Sequence, residues 1–230
     1  MKAVLFAYHE VGAAALDAML RNKIDVVAVF THRDDPSEGG WFRSVAMTAA
    51  KHGIPVHAPA DINHPIWVER VRDMAPDAIF SAHYRKMIGS DILDVCPEHC
   101  YNIHASMLPK YRGRCPINWV LVKGETETGV TLHHMAAAAD AGDIVAQQAV
   151  SIDEDDTAAS LTVHIVAATS SLLDTTLPAI MAGTATRTPQ DVAAATVFPG
   201  RCSEDGCIDW SQDAAMVRNL VRAVAHPWPG

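Results

Sequence analysis

The chain has 230 residues, 49% of them hydrophobic, enough for one sizeable core with a small appendage. Its formal net charge of −9 argues against a phosphate backbone as partner, since nucleic-acid binding needs clustered Lys and Arg, and it leaves small molecules as the expected ligands. Charged residues, Gly or Pro interrupt every apolar segment before the roughly 20 residues a membrane span requires, and the odd cysteine set (Cys96, Cys100, Cys115, Cys202, Cys207) reads as unpaired thiols of a soluble cytoplasmic protein.

The N-terminal apolar run is too short for a signal peptide and reads as a first strand over residues 3–8. Residues 26–31 form a second β-like run, and between the two Leu16, Met19 and Leu20 recur at helical spacing, which makes a βαβ unit. A helix is expected from about residue 41 to residue 51, ending at Gly53, before a short strand over residues 54–57. Trp67, Val68, Val71 and Met74 predict an amphipathic helix closed by Pro76, and residues 77–81 and 100–104 then read as buried strands. Strands alternating with helices imply an α/β, doubly wound, Rossmann-like sheet whose ligands sit at the carboxyl ends of the strands. Residues 128–135 and 144–150 are expected to pair antiparallel, which makes the mostly parallel sheet mixed, and Asp156-Thr157 caps a long helix running to about Met181. The catalytic unit is placed at residues 1–188. Pro189, Pro199 and Gly200 mark a connection within residues 189–230, which hold a last helix over residues 213–225 and the start of a smaller C-terminal unit.

Asn102-Ile103-His104 is the most informative segment, because residues two apart on a strand share a face, so an amide and an imidazole can look into one cavity; the alternative is a satisfied pair at a strand end. Lys110, Arg112 and Arg114 place three cations within five residues around Gly113, a dock for an anion or else a solvated basic loop. Pro116 opens the helix that follows, which includes Trp119 and Val120. After the strand holding His133 and His134 comes Ala136-Ala137-Ala138-Ala139-Asp140-Ala141-Gly142-Asp143, whose small side chains leave room for a flat ligand. Either aspartate could tune His104 if the fold brings them together, or serve as an ordinary turn carboxylate.

Taken together, Asn102-Ile103-His104, Ser106-Met107-Leu108-Pro109-Lys110-Tyr111-Arg112-Gly113 and Asp140-Ala141-Gly142-Asp143-Ile144 resemble the linked signatures of 10-formyltetrahydrofolate-dependent formyltransferases. Phe6-Ala7-Tyr8-His9, Asn63-His64-Pro65 and residues 123–133 are similar in particular to the formyltransferase half of the bifunctional polymyxin-resistance enzymes. That resemblance implies formyl transfer to the amine of a UDP-linked sugar, UDP-4-amino-4-deoxy-L-arabinose, in lipid A modification. It implies Asn102 as oxyanion donor, His104 as proton-transfer residue, Asp140 as the group raising the histidine pKa, and no metal. It carries the folate contacts to Lys86, Met87, Ile88, Arg114, Ala136, Ala137, Ala138, Ala139 and Asp140, with Lys86 and Met87 acting through their backbone. It also implies a C-terminal unit truncated here, and leaves open a homo-oligomer or fusion to a decarboxylase domain.

Four other readings compete. Methionyl-tRNA formyltransferases carry a Gly-Thr-Pro turn and a basic loop where this chain has Ala7-Tyr8-His9 and the acidic segment 31–40. A formyltetrahydrofolate hydrolase would use water as acceptor and carry a preceding regulatory domain. A nicotinamide dehydrogenase would show a G-x-G-x-x-G cradle where Tyr8-His9-Glu10-Val11-Gly12 stands. A folate or nucleotide-sugar binding module without catalysis would keep the fold alone.

Overall fold

The computed structural model describes residues 1–34 and 41–228. The apolar run Ala3-Val4-Leu5-Phe6-Ala7 becomes β1 (Lys2–Ala7), and its alternation sends Ala3, Leu5 and Ala7 into one core and Val4 and Phe6 into another. A strand buried on both faces has no use for polar residues, which is why the run is continuous. The elements that follow are α1 (His9–Arg21), β2 (Asp25–Phe30), α2 (Val45–Lys51), β3 (Val56–His57), α3 (Pro65–Asp73), β4 (Ala78–Ala82), α4 (Ser90–Leu93) and β5 (Cys100–His104). Then come β6 (Arg112–Gly113), α5 (Pro116–Val122), β7 (Glu127–His134), β8 (Ile144–Ser151), α6 (Ala158–Met181), β9 (Val197–Phe198) and α7 (Ala214–Val224).

The main sheet has seven strands in the order β3-β2-β1-β4-β5-β7-β8. The first five are parallel, and β7 and β8 join antiparallel, so the sheet is mixed as expected. The chain lays down β2 and β3 on one side of β1 and then returns to place β4 on the other. Neighbouring connections therefore leave on opposite faces there, which opens a crevice beyond the carboxyl ends of β1 and β4.

The larger core lies under α1, α5 and α6, and the smaller one is built around Phe6, Phe30, Ile62, Val68, Ile79 and Ile92. α6 is long and apolar enough to cross a membrane by length and composition, yet here it packs on α1, β7 and β8 and buries Leu161, Ile165, Leu172 and Leu177. A capping box between Thr157 and Ser160 starts it where the sequence places its cap.

One expectation shifts. α2 begins at Val45 instead of residue 41, because the Ser44 hydroxyl accepts from the Met47 N–H at 3.1 Å and caps it. Trp41 and Phe42 are drawn instead into an aromatic cluster, with the Phe42 ring stacked on His9 at 3.6 Å. Residues 189–228 lie against the main body. β9 pairs in parallel with β6, and Ala223 and Val224 of α7 enter the larger core. Residues 35–40 of the acidic segment 31–40, and Pro229 and Gly230, lie outside the described residues.

Candidate active site

A cleft of about 540 Å³ occupies the crevice at the strand ends. Its lining comes from the ends of β1 (Tyr8, His9), β4 (His83 to Ile88), β5 (Asn102, His104), the loop into α5 (Gly113 to Pro116) and the loop after β7 (Ala136, Ala139, Asp140). Among the described residues seven non-glycine residues have a left-handed backbone, and four of them line this cleft: His9, His83, Cys115 and Asp140. A fifth, Tyr111, lends its carbonyl to His104. Such conformations cost on the order of 1–3 kcal/mol each and persist only where the surroundings impose them, so their concentration here marks a built site.

Asn102, His104 and Asp140 come together on its floor. β5 turns Asn102 and His104 to the same side, and β7 sets His133 directly across from Asn102. The Asp140 carboxylate sits among them. Its Oδ1 lies 3.5 Å from His104 Nδ1, 3.6 Å from His133 Nε2 and 3.3 Å from Asn102 Nδ2, while its Oδ2 accepts the Gly113 N–H at 2.8 Å. Burial opposes ionisation of this carboxyl, but His104 and His133 when their rings are protonated, and the Gly113 N–H in either state, outweigh it and hold the group well below the usual carboxylate range.

His104 is buried, and its Nε2 is 2.7 Å from the Tyr111 carbonyl oxygen, which can only accept. Nε2 therefore carries a hydrogen, and the neutral ring keeps its lone pair on Nδ1, facing Asp140. Burial lowers the His104 pKa from 6.5 and is the dominant influence; Asp140 and the Tyr111 carbonyl push upward without overcoming it, and His133 pushes further down. The upward push expected from Asp140 is thus present, while the net shift is downward. His83 is pushed down to about 3 by burial and then by His9, His104 and Arg85, so it too is neutral at ordinary pH.

His133 was not singled out from the sequence as a site residue. Its Nδ1 faces the His134 carbonyl at 2.8 Å and must donate, which leaves Nε2 to accept from Asn102 Nδ2 at 3.1 Å. The signal was alternation along β7, which puts a histidine opposite Asn102 once the antiparallel pairing is known. Both Asn102 amide hydrogens thus have acceptors, and the longer of the two contacts is the 3.3 Å one to Asp140.

Met87, Ile88, Ala136 and Ala139 line the cleft, whereas Ala137 and Ala138, in the same exposed stretch, are not part of its lining. Lys86 lines the cleft with its stem but gives its ammonium to the carbonyls of Pro59 and Ala60, so backbone is what this segment presents. Of the three expected cations only Arg114 reaches the cleft. Lys110 is exposed elsewhere, and Arg112 is buried with its guanidinium on Gln190, so the basic segment is not one anion dock. Asp143 pairs with Arg187 at 2.7 Å and does not join the cluster. The five cysteines are unpaired.

A sequence model of the family described as "Formyl transferase" matches residues 1–177, and one described as "Formyl transferase, C-terminal domain" matches residues 202–230. Among solved structures, an N-formyltransferase from Helicobacter canadensis in complex with folinic acid and dTDP-3-aminofucose is 22% identical, with a TM-score of 0.80 over 97% of this chain and 80% of that one. WlaRD, a sugar 3N-formyl transferase determined with dTDP and 5-N-formyl-THF, is also 22% identical, with a TM-score of 0.77 over 97% of this chain and 78% of that one. The phosphoribosylglycinamide formyltransferase of Bacillus halodurans is 26% identical, with a TM-score of 0.69 over 79% of this chain and 95% of that one.

Proposed function

Because the chain belongs to the formyl transferase family, we propose that it moves a formyl group from 10-formyltetrahydrofolate to the amino group of a nucleotide-linked sugar. The observation that carries this reading is the Asn102, His104 and Asp140 cluster, with a neutral imidazole whose lone pair faces the cleft floor. The folate supplies an activated formyl carbonyl. Ile88, Leu93 and Met135 offer an apolar wall suited to a flat heterocycle, the backbone around Met87 and Ile88 offers hydrogen bonds, and Arg114 at the exposed rim suits a carboxylate.

The chemistry asks for two things of the protein. When an amine attacks a formyl carbon, negative charge gathers on the carbonyl oxygen, and Asn102 Nδ2 is the donor positioned to meet it. The attacking nitrogen must also lose a proton, and His104 Nδ1 takes it and passes it to the folate nitrogen as the bond from that nitrogen to the formyl carbon breaks and tetrahydrofolate leaves. The Asp140 carboxylate stabilises the imidazolium so formed, since a proton placed on Nδ1 points at Oδ1. Charge thus develops between groups already arranged for it, and little reorganisation is left to the reaction.

For the acceptor we put forward UDP-4-amino-4-deoxy-L-arabinose, supported by the likeness of residues 123–133 to the polymyxin-resistance enzymes, with a dTDP-linked amino sugar as the next candidate. Tetrahydrofolate release, followed optically with a panel of UDP-linked 4-amino sugars, dTDP-linked 3-amino sugars and glycinamide ribonucleotide, tests it. Release with a nucleotide amino sugar is expected; release with glycinamide ribonucleotide alone, or with none, rejects the reading.

A further inference from the structure

We propose that Gln190 is a positioning residue for Asp140, holding the catalytic loop by its backbone while the buried Arg112 dictates which way the Gln190 amide faces. The inference rests on the reading of Asp140 as the partner of His104. It starts from the backbone of that loop, which is left-handed at Asp140 and passes so close to the His134 carbonyl at Gly142 that a Cβ there would collide with it. Something outside the loop has to hold it in that shape.

Gln190 does so. Its Nε2 donates to the carbonyls of Asp140 at 2.8 Å and of Gly142 at 2.6 Å, and its Oε1 accepts from Arg112 Nε at 3.1 Å and Nη2 at 2.6 Å. The amide cannot be turned the other way round. Two carbonyl oxygens can only accept and two guanidinium nitrogens can only donate, so the NH2 group must face the loop and the oxygen must face Arg112. Gln190 is 8% exposed and Arg112 9%, so water does not readily replace either set of bonds.

The contacts close a ring. Arg112 reaches the Asp140 backbone through Gln190, and the very next residue, Gly113, donates its N–H to the Asp140 carboxylate. One dipeptide therefore grips one aspartate at both ends, which fixes where Oδ1 points. The dipeptide is itself held as β6 by β9. A glutamate at position 190 keeps the acceptor for Arg112 and loses both donors, turning a carboxylate oxygen toward two carbonyls.

The experiment is Gln190→Glu in the full chain, read by formyl transfer kinetics and by NMR titration of the His104 ring, with melting temperature measured in parallel. We expect kcat to fall at least about 10-fold with both KM values within about 3-fold, and the His104 titration to move to lower pH as the carboxylate leaves it. The groups facing that ring are Asp140, His133, His83 and the Tyr111 carbonyl; of these Gln190 bonds to Asp140 alone, and Gln190→Met, which removes the donors without adding a charge, must move the titration the same way. A lower melting temperature with unchanged kcat and unchanged His104 titration would show a merely structural tether and overturn the proposal. Should Gln190→Glu not fold, Arg112→Lys decides in its place: it keeps the charge without the fork, and the same two readouts must move in the same direction. The titration needs no acceptor sugar, so it remains decisive even if the proposed reaction is wrong.

Discussion

At the scale of single residues, the proposed mechanism needs a histidine that is neutral when the acceptor arrives. Below its lowered pKa His104 is protonated on Nδ1 and can take no proton, so the acid limb of kcat/KM should have its midpoint below 6.5, and a midpoint above that value would contradict the assignment. His104→Ala should lower turnover at least about 100-fold while folate binding, measured by calorimetry, is retained. Removing the one group that pushes the histidine pKa upward through its charge lowers it further: Asp140→Asn should shift the His104 titration and the acid limb to lower pH as the rate falls. Asp143→Asn, three residues on, is the control, because that carboxylate is committed to Arg187 and acts on His134, not on His104. Asn102 and His104 were legible in the sequence because a strand's two-residue period states which side chains share a face. Gln190 was not, because its partners lie 78 and about 50 positions away and no local pattern links an isolated glutamine to them.

At the scale of elements, the long strands and helices were legible and the shortest pieces were not. β1, β2, β4 and β5 announce themselves as apolar runs, and α6 as a capped, periodic segment. β6 and β9 are two residues each, too short for any periodicity, and their pairing spans 85 positions from Arg112 to Val197. That small pairing nonetheless bears on the chemistry. Gly113 has φ +97, and a side chain there would collide with the Phe198 carbonyl, so Gly113→Ala should part β6 from β9 and loosen the N–H that holds Asp140. Melting temperature and kcat should fall together. A variant that melts early but turns over normally would show that the pairing stabilises the tail without serving the site. The start of α2 was misplaced for a related reason: aromatic contacts between Trp41, Phe42 and His9 outweigh helix propensity, and they join residues more than 30 positions apart.

Across the whole molecule, a net charge of −9 accompanies a cleft whose exposed rim contributes Arg85, Lys86 and Arg114, so attraction of small anions is local and not spread over the surface. In gel-shift titrations tRNA should therefore show no tight, salt-sensitive binding; strong retention that weakens steeply with salt would favour a tRNA substrate instead. The doubly wound order could be anticipated from the alternation of strands and helices, but the return of residues 189–228 onto the body could not, since turn residues mark where a chain bends and not where it lands. That return brings Trp228 to within 4.9 Å of Trp41, with an angle of 55° between the rings, and both line the cleft. Two indoles so placed share their excited states, so the protein carries an optical gauge: a pair of ellipticity bands of opposite sign that Trp41→Phe or Trp228→Phe should each abolish. A ligand entering the cleft would then report its own arrival through the light absorbed at the rim, before any bond is made or broken.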